Sequence, residues 1–120
     1  MKILIAEDDP VSAKILQFAL ESAGHTVTVA SSGADAWAAF DREPVRVIVS
    51  DWMMPELDGV EATRQIRQRQ VHSKTPIFAV SAFATSDVQQ DALDAGCNEI
   101  FAKPLEIEPF LGRIRATLNA

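Results

Sequence analysis

Near the middle of the chain, Val45-Arg46-Val47-Ile48-Val49-Ser50 runs directly into Asp51-Trp52-Met53-Met54-Pro55-Glu56-Leu57-Asp58. Its β-branched aliphatic residues predict a strand over Val45 to Ser50. The run is apolar enough to be buried on both faces, as strands of parallel sheets usually are. Asp51 opens a loop that lasts to Asp58. A helix is predicted from about Gly59 to Arg69, with Val60, Ala62, Thr63 and Ile66 inward and Arg64, Arg67 and Arg69 outward.

The same alternation recurs on both sides of this stretch. Lys2 to Ala6 is a short β-branched run, and Thr26 to Ala30 is a second strand. Between them Asp9-Pro10 reads as an N-cap followed by proline at the first helical position. Ile15, Leu16, Phe18, Ala19, Leu20 and Ala23 keep helical spacing, and Gly24 supplies a left-handed stop. Ser32 can cap a second helix, with Ala36, Trp37, Ala39 and Phe40 on its apolar side and Pro44 beyond its end. Pro76 to Ser81 is the fourth strand. Ser86-Asp87-Val88-Gln89 matches a capping box for the fourth helix, which ends at Gly96. Glu99 to Ala102 is the fifth strand, and Ile107 to Leu118 the last helix, with Pro109 tolerated in its first turn. Strands separated by helices imply βαβ crossovers, hence a parallel sheet covered by helices on both faces.

These elements use residues 1–120 as one domain, with no output domain expected in this chain. Seventeen acidic residues against eleven basic ones leave a net charge of −6, which argues against gripping nucleic-acid phosphates. The single cysteine, Cys97, excludes an intrachain disulfide and a cysteine-based zinc cluster, and fits a reducing compartment. No apolar run approaches the roughly 18 residues of a membrane span. The opening residues are too few for a signal peptide before acids begin. A cytoplasmic location is expected.

In an open parallel sheet, ligands bind beyond the carboxyl ends of the strands. The first strand ends in Glu7-Asp8-Asp9, the third in Asp51, the fourth in Ser81-Ala82 and the fifth in Lys103-Pro104. Two carboxylates about 4 Å apart repel by roughly 4 kcal/mol at an effective dielectric near 20. They need a proton, an ammonium or a cation between them. Oxygen-only donors favour a hard cation, and a site that keeps several waters favours Mg2+. A metal and Lys103 together would neutralise a phosphoryl group while an aspartate oxygen attacks it in line, forming an acyl phosphate.

Glu7-Asp8-Asp9, the run Ser50-Asp51-Trp52-Met53-Met54-Pro55 with Asp58-Gly59 after it, the pair Ser81-Ala82 and Lys103-Pro104 together resemble the receiver domain of two-component response regulators. The match keeps order and spacing over essentially the whole chain. The resemblance implies a flavodoxin-like sandwich of five helices on a five-stranded parallel sheet in the order 2-1-3-4-5. It also implies that Asp51 is the phosphoacceptor. Asp8 and Asp51 would ligate Mg2+ with the backbone carbonyl of Met53, and Glu7 would reach the ion through water. Lys103 would contact the phosphoryl group, Ser81 would turn its hydroxyl to it after transfer, and the Lys103-Pro104 bond would be cis. The donor would be a phosphohistidine on a histidine kinase or a histidine phosphotransfer protein. The domain would catalyse only its own phosphorylation and dephosphorylation, as a switch rather than an enzyme in the usual sense. A downstream protein would read the face formed by the fourth helix, fifth strand and fifth helix. Contact with nucleic acid or membrane is not expected, and the domain would be a monomer or a phosphorylation-dependent dimer.

Two positions depart from the family pattern. Ile100 stands three residues before Lys103, where the family usually has the aromatic ring of its switch, and Phe101 next to it should point to the opposite face. Ser81 stands where threonine is commoner, with the same hydroxyl. Met53 and Phe83 should flank the acyl phosphate and, having no group to orient a water, slow its hydrolysis.

Blander readings apply elsewhere. Asp9 is a cap, Cys97 a packed small hydrophobe, His25 and His72 loop residues, and the arginines of the third helix a solvated face. Two other function classes compete. A pseudo-receiver acting only through protein contacts fits Ile100 but leaves Asp8, Asp51 and Lys103 idle. A haloacid-dehalogenase-like phosphatase would need a second acid two residues after the nucleophile, where Met53 stands.

Overall fold

Strands and helices alternate strictly in the computed structural model, which describes residues 2–42, 45–52, 59–68, 74–82 and 85–118. In chain order they are β1 (Lys2–Ala6), α1 (Pro10–Ser22), β2 (Thr26–Ala30), α2 (Gly33–Arg42), β3 (Val47–Asp51), α3 (Gly59–Gln68), β4 (Ile77–Ser81), α4 (Ser86–Ala95), β5 (Glu99–Ala102) and α5 (Ile107–Leu118). The strands form one sheet in the order β2-β1-β3-β4-β5, and every neighbouring pair is parallel. That is the order and the layering anticipated from the sequence.

Side-chain alternation along the strands divides the interior in two. On one face Leu4, Ala6, Ile48, Ile77 and Ala79 pack against Ala36 and Phe40 of α2, Ala62 and Ile66 of α3 and Ala92 of α4. On the other, Ile3, Ile5, Val47, Val49, Phe78 and Val80 pack against Leu16 and Leu20 of α1 and Phe110, Ile114 and Leu118 of α5. The central strands are therefore apolar on both sides, as the opening stretch required. Ile100 packs toward the first face and Phe101 toward the second. Phe101 meets Phe78 and Phe110 at centroid distances of 5.6 and 5.1 Å.

Several expectations shift in detail. β3 begins at Val47 and includes Asp51; Arg46 instead donates its N–H to the Lys2 carbonyl at 2.8 Å, outside the strand pairing. β4 begins at Ile77 because Pro76 has no N–H to give the ladder, although its carbonyl accepts from Ile48 at 2.9 Å. α4 is capped one residue earlier than predicted: Thr85 has extended backbone and its Oγ1 accepts from Val88 N, so Ser86 is the first helical residue. The caps at Asp9 and Ser32 stand, each side chain accepting from the N–H three residues on.

Ile15 and Phe18, read as part of the apolar side of α1, are 53% and 74% exposed, and Val11 is 66% exposed. Helical spacing alone had merged two stripes, of which only Ala13, Leu16 and Leu20 face the sheet. Arg67 is not outward. It lies half-buried across the amino-terminal edge of the sheet, donating to the carbonyls of Thr75 and Gly96 and to Asn98 Oδ1.

Candidate functional site

Parallel register brings the carboxyl ends of the strands level. Ala6 sits beside Ser50 and Asp51 beside Val80, while Ser81 pairs with Ala102. The residues just beyond are tied by main-chain bonds: Glu7 N donates to Ala30 O at 3.0 Å, Trp52 N to Val80 O at 2.8 Å and Lys103 N to Ser81 O at 2.9 Å. The bond from Lys103 extends the ladder by one residue and aims its side chain back over the strand ends. The Lys103-Pro104 peptide is cis, as anticipated.

Lys103 Nζ donates to Glu7 Oε1 at 2.8 Å and to Asp51 Oδ2 at 3.1 Å. The two acids are nearly withdrawn from water, at 2% and 7% exposure, so their charges are poorly screened. Asp8 is exposed at the rim, and one carboxylate oxygen from each of Glu7, Asp8 and Asp51 lies within 4.8 Å of the others. The structure therefore brings together Glu7, Asp8, Asp51 and Lys103. Ser81 is fully buried at the end of the adjacent strand. Ile100 lies further down β5, opposite Ala79. Met53 and Phe83, to which roles were assigned from the sequence, lie outside the described residues, as does His72.

Burial is the main reason the Glu7 carboxyl is pushed up from 4.5 to about 7. The neighbouring Asp51 carboxylate adds to the shift, and Lys103 opposes it. Burial alone would lower the Lys103 ammonium, but its bonds to Glu7 and Asp51 outweigh that and hold it above its ordinary value. One ammonium thus serves two buried carboxyl groups with a third beside them at the rim, and Glu7 Oε2 is buried with no hydrogen-bond partner. An orphaned buried oxygen beside two further carboxylates is the donor set a hard divalent cation satisfies.

A sequence model described as the response regulator receiver domain matches residues 3–115 of the chain. The chain belongs to this family of receiver domains. Among curated relatives, the receiver domain is 37% identical over 106 residues to a 14.6 kDa protein of Leptolyngbya boryana, covering 88% of this chain and 81% of that one. It is 35% identical to the response regulator MprA of Mycobacterium leprae, over 99% of this chain and 51% of the relative. It spans about half the length of this and other curated regulators it matches. The receiver domain of a sensor histidine kinase from Pseudomonas aeruginosa superposes with a TM-score of 0.89 at 31% identity, covering 99% of this chain and 98% of that one. In that crystal structure a magnesium ion is coordinated in the active-site cleft. Receiver domains are the regulated modules of two-component systems, and this chain carries the fold and the acidic edge of one. No helix among the described residues is long and apolar enough to cross a membrane.

Two features escaped sequence reasoning. One is the role of Arg67, which helical periodicity assigned to solvent. The other is a groove of about 440 Å³ beside the acidic edge, lined by Glu7, Ser12, Ile15, Leu16, Lys103, Pro104, Leu105 and Ile107. Its walls come from α1 and from the connection between β5 and α5, so no local pattern announces it. The unexpected exposure of Ile15 is its only trace on a single element.

Proposed function

We propose that Asp51 accepts a phosphoryl group from a phosphohistidine on a histidine kinase or phosphotransfer protein, and that the domain itself catalyses the transfer. The observation that carries this reading is the bridge of Lys103 Nζ between Glu7 and Asp51. The ammonium lies 3.1 Å from Asp51 Oδ2, and the excess of negative charge around it supports a metal ion as the balancing partner. In this reading Asp8 and Asp51 hold magnesium together with the Met53 carbonyl, and Glu7 does so through water. When bound, the ion neutralises the phosphoryl oxygens. Asp51 supplies the attacking oxygen. Lys103 then exchanges its carboxylate contact for the incoming phosphoryl group, and the Ser81 hydroxyl donates to the acyl phosphate once formed.

Ile100 is a partly buried aliphatic side chain packed against the core, so the α4–β5–α5 face responds without rotation of a ring at this position. Met53 and Phe83 retard hydrolysis of the acyl phosphate. The downstream partner is a protein or an output domain that reads that face, and the buried free Cys97 fits work in the reducing cytoplasm.

Mass spectrometry after incubation with phosphoramidate and Mg2+ tests the reading. One phosphoryl group, labile to hydroxylamine, is expected on the parent and none on Asp51→Asn. Equal labelling of the two proteins would overturn it.

A further inference from the structure

Helix α1 turns an apolar stripe to solvent. Among the described residues four large hydrophobic side chains are strongly exposed, and three of them, Val11, Ile15 and Phe18, lie on this one helix. Their spacing of four and then three residues puts them in one row, opposite the face that Ala13, Leu16 and Leu20 turn to the sheet. Isolated exposed apolar residues are ordinary, but a contiguous row of them marks a contact surface. Lys14 and Glu21 flank the row on one side, two turns apart. Both are exposed, and neither is in an ion pair with another described residue.

We propose that this stripe pairs two copies of the domain, α1 against α1, antiparallel about a two-fold axis. The order of charges along the helix selects a second copy as the occupant. A two-fold axis makes an interface isologous, so every contact between unlike residues occurs twice. An axis midway between Lys14 and Glu21 sets the Lys14 ammonium of each copy against the Glu21 carboxylate of the other. The same register brings Phe18 of each copy within about 3 Å, along the helix axis, of Ile15 of the other. Antiparallel helices also place the positive end of each macrodipole beside the negative end of its neighbour. A parallel pairing would instead set Lys14 on Lys14 and Glu21 on Glu21. One helix face is smaller than a standard interface, so the pairing is weak, with a dissociation constant on the order of 0.1 mM. Ile15 also borders the groove beside Lys103, so the pair covers one flank of the acidic edge, whether or not Asp51 is the acceptor.

Sedimentation equilibrium over protein concentrations that span this value tests the pairing. The parent is expected to pass from monomer to dimer as concentration rises. Phe18→Ser, a surface change that leaves the fold intact, should weaken association by on the order of 100-fold, since an apolar ring is lost from both copies. Lys14→Glu and Glu21→Lys should each weaken it about tenfold, because two attractive contacts become repulsive. An equimolar mixture of these two variants should regain the parental affinity, because the reversed charges then complement each other across the interface. Leu93→Ser, at the exposed apolar residue of α4, and Asp51→Asn should associate like the parent. A parent that stays monomeric, a mixture no tighter than either variant alone, or a dimer that survives Phe18→Ser would overturn the inference. So would loss of pairing in Leu93→Ser, which assigns the contact to α4, or in Asp51→Asn, which ties it to the acidic edge.

Discussion

Two half-buried cations, Arg67 and Lys103, stand at opposite edges of the same sheet and are held in opposite ways. At the amino-terminal edge, the Arg67 guanidinium donates to Gly96 O at 3.0 and 2.9 Å, to Asn98 Oδ1 at 2.8 Å and to Thr75 O. These acceptors are uncharged, and Asn98 Oδ1 also takes the Ile77 N–H at 2.9 Å. The fork of the guanidinium joins the end of α3 to the starts of β4 and β5. At the carboxyl-terminal edge, the Lys103 ammonium serves two buried carboxylates while a third stands at the rim and an oxygen of Glu7 goes unpartnered. The first edge is satisfied by its own chain. The second keeps an unpartnered carboxylate oxygen and three clustered acids around one ammonium. Burial of a cation alone therefore does not mark a functional site; the charge balance of its partners does.

The sharpest way to break this contrast is to remove each cation in turn. Arg67→Met leaves the carbonyls of Thr75 and Gly96 short of a donor. It should cost about 2–3 kcal/mol in urea unfolding, with phosphoramidate labelling of Asp51 nearly unchanged. Lys103→Met, measured at pH 6 where Glu7 can carry a proton in place of the ammonium, should cost less than about 1 kcal/mol. It should slow labelling by on the order of 100-fold, the scale of losing one preorganised charge-stabilising group. Equal stability losses in the two variants would erase the distinction between a structural and a functional cation.

The second test uses the Glu7 carboxyl, raised by burial from 4.5 to about 7. Because the folded value lies above the unfolded one, the folded state binds the extra proton. The stability this contributes is complete below pH 4.5 and is lost as pH rises through about 7. Without metal, the domain should therefore lose stability on the order of 2 kcal/mol across that window relative to Glu7→Gln. Mg2+ competes with the same proton, so its affinity should climb over the same range, readable in the fluorescence of Trp52, which is buried next to Asp51. A Trp37→Phe background removes the other indole. A metal affinity independent of pH from 5 to 8 would show that Glu7 takes no part in holding the ion.

The two edges also differed in how far they could be read from sequence. The carboxyl-terminal edge was legible because parallel topology fixes where strand ends meet, so acids at the ends of the first and third strands and a lysine after the fifth had to converge. Resemblance to receiver domains then gave each residue a role. The amino-terminal edge was not legible, since an arginine at a polar helical position reads as solvated. Its long stem folds back instead, over a residue without a side chain: a Cβ placed on Gly96 would lie 3.0 Å from Arg67 Cγ. The groove was hidden for a similar reason, because its walls belong to segments about ninety residues apart, as Ile15 and Leu105 show.

Gly96 gives the third test. It has φ of +118° as the left-handed cap of α4 and lies under Arg67. Gly96→Ala pays for both the backbone conformation and the crowding, about 1–2 kcal/mol in thermal or urea unfolding, whereas Gly24→Ala has the strained φ but open space and should cost less, about 1 kcal/mol. A loss at Gly24 equal to that at Gly96 would mean that the Arg67 stem yields freely and that this edge is looser than its hydrogen bonds imply.

The smallest effect separates sequence pattern from geometry at the start of α4. The motif Ser86-Asp87-Val88-Gln89 favours Ser86 as the cap, yet Thr85 has the extended backbone, at φ −71° and ψ 168°, and its Oγ1 accepts from Val88 N at 3.3 Å. The hydroxyl of an N-cap satisfies one amide that the helix leaves open, while one residue later the backbone is already helical and the same hydroxyl finds no such role. Thr85→Ala should therefore lower stability by about 1 kcal/mol and Ser86→Ala by only a few tenths, both read as shifts in the urea midpoint at constant slope. The same pair bears on the contrast between edges, because Thr85 lies on the connection from Ser81 to α4. If the carboxyl-terminal edge is completed only by phosphorylation, the Thr85→Ala penalty should grow in the phosphorylated domain, where Ser81 anchors that connection. An identical penalty in both states would confine the response to Lys103 and the acids.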